Sequence, residues 1–259
     1  MRMTRYGSGG PPLVFVHGLA CDGSDWDAQV AWFSSRTTVV VCELPGHGSS
    51  PATPAECTIE AYGAALARGL RLPGPAILVG HSMGCRVVVE ACRVEPTVVS
   101  GLVLIDGSRI GDGDSEAAER AMAAELAGEG YLRFMRKFFE SMFVPSSDPA
   151  IARMIIERAL GLPAPVGRAL ITDLAGWDAG EVEAALDGVV VPVLAIQTTT
   201  MDTARERVSL EPGLSSPWVD LIRAHVPQAD VTVLFGAGHF PQIERSDEIT
   251  ALIADFAQL

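Results

Sequence analysis

The sequence predicts an α/β fold: a doubly wound, mostly parallel sheet with a helical insertion between two late strands. Three observations carry this. Short β-branched runs bounded by turn residues recur along the chain, as buried parallel strands do. Segments with apolar residues at three- and four-residue steps lie between them, which is the alternation of a doubly wound sheet. The rhythm then breaks once, between Ile105 and Val189, where helical patterns persist without a convincing strand.

The strands expected in order are Leu13–Val16, Thr38–Cys42, Ala76–Val79, Gly101–Ile105, Val191–Ile196 and Val231–Leu234. Met83 to Val94 is expected to be a helix, with Val87, Val88, Ala91 and Val94 on its buried face and Pro96 ending it. Pro192 falls at a strand opening, where a missing N–H costs least. The insertion, 110–187, is expected to act as a lid with a small core of its own. It runs from an acidic, Ala-rich piece (Asp112–Glu129) through an aromatic helix (Tyr131, Phe134, Phe138, Phe139, Phe143) to Trp177. No internal repeat or low-complexity linker divides the chain, so 1–259 is expected to form a single domain.

At 259 residues the chain is near the upper limit for one hydrophobic core. Apolar residues make up 48% and charged residues 20%, a globular profile. The formal net charge of -13 and the lack of a basic patch argue against nucleic acid or an anionic membrane as partner. No apolar run reaches the ~20 residues that a membrane helix needs, and no secretory signal precedes Leu13, so a cytoplasmic location is expected. Five cysteines without a Cys-x-x-Cys pair speak against a disulfide framework or zinc site, and Cys21 alone stands near a motif. Neither His-Glu-x-x-His nor a phosphate-cradling loop occurs, so no metal or cofactor is implied.

The strongest chemical signal is Gly80-His81-Ser82-Met83-Gly84, set between a buried strand and an amphipathic helix. Such a Gly-x-Ser-x-Gly turn forces strained dihedrals on the serine, which only flanking glycines leave room for, and lifts Ser82 clear of the sheet. Three further motifs stand in order: His17-Gly18 after the first core strand, Pro45-Gly46-His47-Gly48-Ser49 after the second, and Gly236-Ala237-Gly238-His239-Phe240 after the last. With these four motifs the chain resembles the α/β-hydrolase family over nearly its whole length. The resemblance implies Ser82 as nucleophile, His239 as its general base, and an oxyanion hole at the N–H groups of Leu19 and Met83. Two such donors stabilise a developing oxyanion by ~3 kcal/mol each. The other histidines are expected to serve locally: His17, His47 and His81 within their motifs, and His225 with no identifiable partner.

The acid departs from the family pattern. The usual Gly-x-x-Asp turn after the penultimate strand is replaced by Gln197-Thr198-Thr199-Thr200-Met201-Asp202. Asp202 is one candidate; Asp106, directly after Gly101–Ile105, is the other and is preferred. One buried carboxylate is needed to fix the His239 tautomer.

The expected reaction is hydrolysis of an ester, lactone or thioester of a small molecule through an acyl-enzyme, without a cofactor. Trp26, Phe134, Phe138, Trp177 and Phe240 favour an apolar acyl or ring group. Arg86 and Arg109 lie close enough to the motifs to clamp an anion. A carbon–carbon bond hydrolase, lyase or perhydrolase would use the same serine, and a non-catalytic ligand-binding member of the fold is the alternative from another class. Serine at position 82 argues against dehalogenases and epoxide hydrolases, whose relatives carry aspartate there. The oligomeric state stays open.

Overall fold

The computed structural model describes residues 1–201 and 207–259. The chain opens with β1 (Arg2–Tyr6), β2 (Leu13–Val16), α1 (Asp27–Phe33), β3 (Val39–Glu43), α2 (Ile59–Gly69), β4 (Ala76–His81), α3 (Met83–Val94) and β5 (Val99–Ile105). The helices α4 (Ser115–Glu125), α5 (Gly130–Glu140), α6 (Pro149–Leu160), α7 (Ala164–Gly180) and α8 (Val182–Asp187) precede β6 (Val193–Gln197). A small hairpin, β7 (Thr199–Met201) and β8 (Arg207–Ser209), leads to α9 (Pro217–His225), β9 (Asp230–Val233), α10 (Pro241–Glu244) and α11 (Ser246–Ala257).

Among the described residues one seven-stranded sheet runs in the order β1-β3-β2-β4-β5-β6-β9. All neighbouring pairs are parallel except β1 with β3. The six expected strands appear within two residues of their expected bounds, because a strand covered on both faces must be apolar throughout. Leu13 and Phe15 face one side with α1 and α11, whereas Val14 and Val16 face the other with α2 and α3. The connections reverse direction between β2 and β4, so the loops leaving those two strands diverge and open a crevice at their C-terminal ends.

The insertion does not keep a core of its own. Tyr131, Met135, Phe139, Ile155 and Leu170 belong to the same buried cluster as Val14, Leu78 and Leu104 of the sheet. Val94, expected on the buried face of α3, is exposed at the last helical position, while Val87, Val88 and Ala91 are buried. The five cysteines are free and buried. No helix among the described residues is long and apolar enough to cross a membrane.

A buried ion pair ties α3 to α7. The Arg86 Nε donates to Asp178 Oδ1 and its Nη2 to Oδ2, both at 2.7 Å, with the two side chains 1% and 0% exposed. The same guanidinium donates to the Ser82 carbonyl at 3.2 Å. Arg86→Met would leave a buried carboxylate without its cation, so a loss of about 3–5 kcal/mol is expected from urea unfolding. The double variant Arg86→Met/Asp178→Leu should recover most of it, because the uncompensated charge is gone.

Candidate active site

Ser82 sits between β4 and α3 with φ 55° and ψ −117°, a conformation non-glycine residues seldom adopt. The turn leaves no room on either side. A Cβ at Gly80 would lie 2.4 Å from the Gly84 carbonyl oxygen, and one at Gly84 would lie 2.4 Å from that of Val16. Backbone bonds pin the corner from both directions: Ser82 N–H donates to the Ile105 carbonyl at 2.9 Å, and Cys85 N–H to that of Ser82 at 3.0 Å.

The hydroxyl of Ser82 is 2.8 Å from Nε2 of His239, and Nδ1 of that ring is 2.6 Å from Oδ2 of Asp106. A carboxylate only accepts, so Nδ1 carries the proton and Nε2 presents its lone pair to the serine. Asp106 itself is held tightly. Its Oδ1 accepts from the N–H groups of Thr198 and Thr199 at 2.7 and 2.8 Å, and its Oδ2 from the Thr199 hydroxyl at 2.6 Å. The His239 backbone is fixed as well: its N–H donates to the Met142 carbonyl at 2.8 Å, and its own carbonyl accepts from His81 Nε2 at 2.7 Å.

The electrostatics suit a neutral base beside an ionised acid. Burial lowers the His239 ring to about 4, helped by the charge of Arg207 and opposed by Asp106. Burial alone would raise the Asp106 carboxyl. The His239 hydrogen bond and charge, the Arg207 cation and the Thr199 hydroxyl outweigh it and bring the group down to about 2. Such a chain can take the proton of Ser82 onto Nε2 while Asp106 steadies the resulting imidazolium.

Leu19 is buried in the loop that leaves β2, and Met83 is buried at the first position of α3. Among the described residues neither N–H has an acceptor, which leaves both available to a ligand oxygen. His17 sets the first loop: its Nδ1 donates to the Gly18 carbonyl at 2.8 Å and its Nε2 accepts from Leu44 N–H at 3.1 Å. Ala20, with φ 54°, then turns the chain away.

The other expected residues are more dispersed. Asp202 lies outside the described residues. Phe240 packs against the His81 and His239 rings and stacks on Phe143 at 5.4 Å. Phe134 and Phe138 are half-buried and stack on each other at 5.3 Å, and Phe138 meets the edge of Phe139 at 5.8 Å. Trp26 does not face the crevice: it is fully buried against Phe15 on the α1 and α11 side of the sheet. Trp177 is buried in the large core cluster. Neither expected arginine is free to clamp a substrate. Arg86 is occupied by Asp178, and Arg109 by Glu183 and the Gly111 and Asp178 carbonyls. His225 has a partner after all, Asp187 at 2.9 Å, and His81 acts across the fold on His239.

A cavity of about 430 Å³ opens beside this chain of residues, lined by Ala20, Cys21, His47, Ser50, Arg158 and Leu162 among others. Ser82, His239 and Asp106 are not in its wall, although Ala20, next in sequence to Leu19, is. Cys21 lines it as a protonated thiol, because burial and then Asp25 push its pKa well up. Among the described residues no three potential metal ligands cluster. Sequence reasoning missed Thr199, Arg207 and Met142, none of which belongs to a motif.

Four histidines are buried and held neutral: His17 at about 3, His47 and His239 at about 4, and His81 well below its ordinary value, each chiefly by burial. Above pH 6.5 these groups are neutral folded and unfolded alike. As pH falls below 6.5 the unfolded chain takes up protons that the folded chain refuses, so stability drops. Chemical denaturation at pH 7 and pH 5 should differ by at least about 2 kcal/mol, the contribution of one such group.

Residues 13–252 match the Alpha/beta hydrolase family. A pimeloyl-[acyl-carrier protein] methyl ester esterase of Methylococcus capsulatus is 30% identical over 154 residues, 60% of this chain and 55% of that protein. The chain thus spans little more than half of that relative. The corresponding protein of Aromatoleum aromaticum is 28% identical over 254 residues, covering 95% of this chain and 97% of its own. Among solved structures, Est816, described as an N-acyl homoserine lactone degrading enzyme, superposes with a TM-score of 0.80 over 98% of this chain and 96% of its own, at 22% identity, a likeness of fold. With its sheet order, its strained serine corner and the family match over most of its length, the chain belongs to the α/β-hydrolase family.

Proposed function

We propose that the protein hydrolyses a carboxylic ester, lactone or thioester through an acyl-enzyme, with Ser82 as nucleophile, His239 as general base and Asp106 as the acid. The observation that carries this is the unbroken hydrogen-bond chain from Asp106 through His239 to Ser82, at 2.6 and 2.8 Å. Ser82 Oγ attacks the carbonyl carbon as its proton passes to His239 Nε2, and the carbonyl oxygen becomes an anion between the N–H groups of Leu19 and Met83. Collapse of that adduct breaks the bond to the leaving oxygen or sulfur, which takes the proton from Nε2. Water then repeats the sequence: Nε2 accepts its proton, the acyl bond to Ser82 breaks, and Ser82 recovers its hydrogen. No cofactor enters the balance.

The helices from α4 to α8 serve as the lid in this proposal, and a small molecule with an apolar acyl or ring group is the substrate. Phe143 and Phe240 support the apolar character, since their stacked rings lie against His239. A relative named as a methyl ester esterase supports acyl C–O cleavage as well.

Turnover of p-nitrophenyl esters of rising acyl length tests the reaction. Wild type should be active and Ser82→Ala inactive; a folded wild type that neither turns over nor reacts with a fluorophosphonate overturns the proposal. For the acid, Asp106→Asn should lower kcat by about 10⁴-fold through the wrong His239 tautomer. Asp202→Asn should stay within a few-fold of wild type.

A further inference from the structure

The acid of this site stands at the end of β5, and the loop after β6 has a different occupation: it grips that acid. Thr198 and Thr199 supply two N–H groups and a hydroxyl to the Asp106 carboxylate. Behind them, on β8, stands Arg207. Its Nη1 donates to the Thr199 hydroxyl oxygen at 2.8 Å and lies 3.8 Å from Asp106 Oδ2, the oxygen that also accepts from His239. Its Nη2 reaches the Ser108 hydroxyl at 3.5 Å. The side chain is 2% exposed, and its Nε finds no partner among the described residues.

A guanidinium buried in this way is expensive unless it is fully paired. This one is not seated in a bidentate pair with Asp106, as Arg86 is with Asp178. Its contact with the acid is long and runs partly through Thr199, whose hydroxyl accepts from Arg207 and donates to Asp106. The hydrogen bonds thereby converge on Asp106 Oδ2, from the cation through the Thr199 hydroxyl on one side and from the imidazole Nδ1–H on the other.

We infer that the β7–β8 hairpin is the clamp of the acid, and that Arg207 is a positioning residue whose charge sets how far into acid the His239 base stays available. The inference deepens the proposed serine mechanism and rests on it. The Arg207 cation opposes a second positive charge on the nearby imidazole, so it favours the neutral ring. Thr199 holds the carboxylate oxygen that accepts from Nδ1.

Of the other charged and titratable groups around the pair, Arg86 acts on the His239 ring in the same sense but more weakly than Arg207. Among the described residues, His81 approaches from the end of β4, neutral and donating to the His239 carbonyl. Arg86 of α3 is matched by Asp178 of α7. Cys85 of α3 stays a thiol, raised by burial to about 12. Glu244 of α10 accepts from Gly238 N–H at 3.3 Å and from the Ser147 hydroxyl at 2.8 Å. The segment between α5 and α6 presents the Met142 carbonyl.

The test is the pH profile of kcat/KM for a p-nitrophenyl ester, read within seconds of a jump from neutral pH so that slow acid unfolding does not intervene. Wild type, Arg207→Met, Arg207→Gln and Arg207→Lys are compared, with circular dichroism at neutral pH to confirm folding. The neutral variants should carry the acidic limb upward by about one unit, with KM unchanged, and Arg207→Lys should return it towards wild type. Thr199→Val should lower kcat about tenfold without moving the limb, the order expected for one lost hydrogen bond. Folded neutral variants whose limb coincides with wild type overturn the inference. So does failure of both neutral variants to fold while Arg207→Lys folds with an unshifted limb and Thr199→Val keeps wild-type kcat, since the cation then serves architecture alone. In either case activity that is present in wild type and lost in Ser82→Ala leaves the serine mechanism standing, so the two failures are distinguishable.

Discussion

The strained corner at Ser82 is the constraint on which the site depends. Four described residues other than glycine have positive φ: Ala20, Ser82, Asp106 and Gln258. Gln258 ends α11, where a left-handed residue commonly stops a helix. The remaining three follow β2, β4 and β5, which are consecutive neighbours in the sheet. Each costs of the order of 1–2 kcal/mol in a right-handed chain, and the cost falls where the loops of adjacent strands must turn at once. The outcome is convergence. The hydroxyl of Ser82 and the carboxylate of Asp106 both reach the His239 ring, each carried on a backbone corner of fixed shape.

That geometry is kept by dry surroundings whose charges are compensated one by one. Burial would neutralise an isolated aspartate, yet Asp106 stays ionised because three donors from 198–199 and the His239 ring surround it. Burial acts in the opposite sense on the imidazoles, which lose their charge and become usable acceptors: His17 for Leu44 N–H and His239 for the Ser82 hydroxyl. The two arginines below the site divide the work. Arg86 holds both oxygens of Asp178 and braces the Ser82 carbonyl, whereas Arg207, whose contact with Asp106 is longer, acts more strongly on the His239 ring.

What could be read in the sequence follows from how local each signal is. The buried strands were legible because covering both faces leaves only apolar residues. β1 was not: no residue of Arg2–Tyr6 is fully buried, its two arginines stand three positions apart and follow no two-residue period, and it pairs at the edge, antiparallel to β3. The three-residue strands of the small hairpin carry no period at all. Ser82 and His239 were legible because their turns demand glycines. The choice between two acids was not, since it depends on the parallel register that pairs Ile105 with Ile196 and so brings Asp106 beside Thr198 and Thr199. Trp26 misled for a related reason: proximity to a motif says where the chain goes but not to which face a ring turns, and here it turns under the sheet against Phe15.

The helical insertion is coupled to His239 through backbone as much as through side chains. His239 N–H bonds the Met142 carbonyl, Phe143 stacks on Phe240, and Ser147 donates to Glu244, which in turn accepts from Gly238 N–H. A Cβ at Gly238 would fall 2.9 Å from the Met142 oxygen and 2.7 Å from Glu244, so the approach is as close as the chain permits. A main-chain bond is indifferent to the side chain at position 142, which lets the aromatic surface of the insertion vary while the position of the base does not. Displacing the 142–147 segment would also strip an acceptor from the residue that carries the proton, and a buried N–H left unpaired is costly. The 142–147 segment of the insertion and the loop that holds His239 are therefore one mechanical unit, and the same contacts fix both.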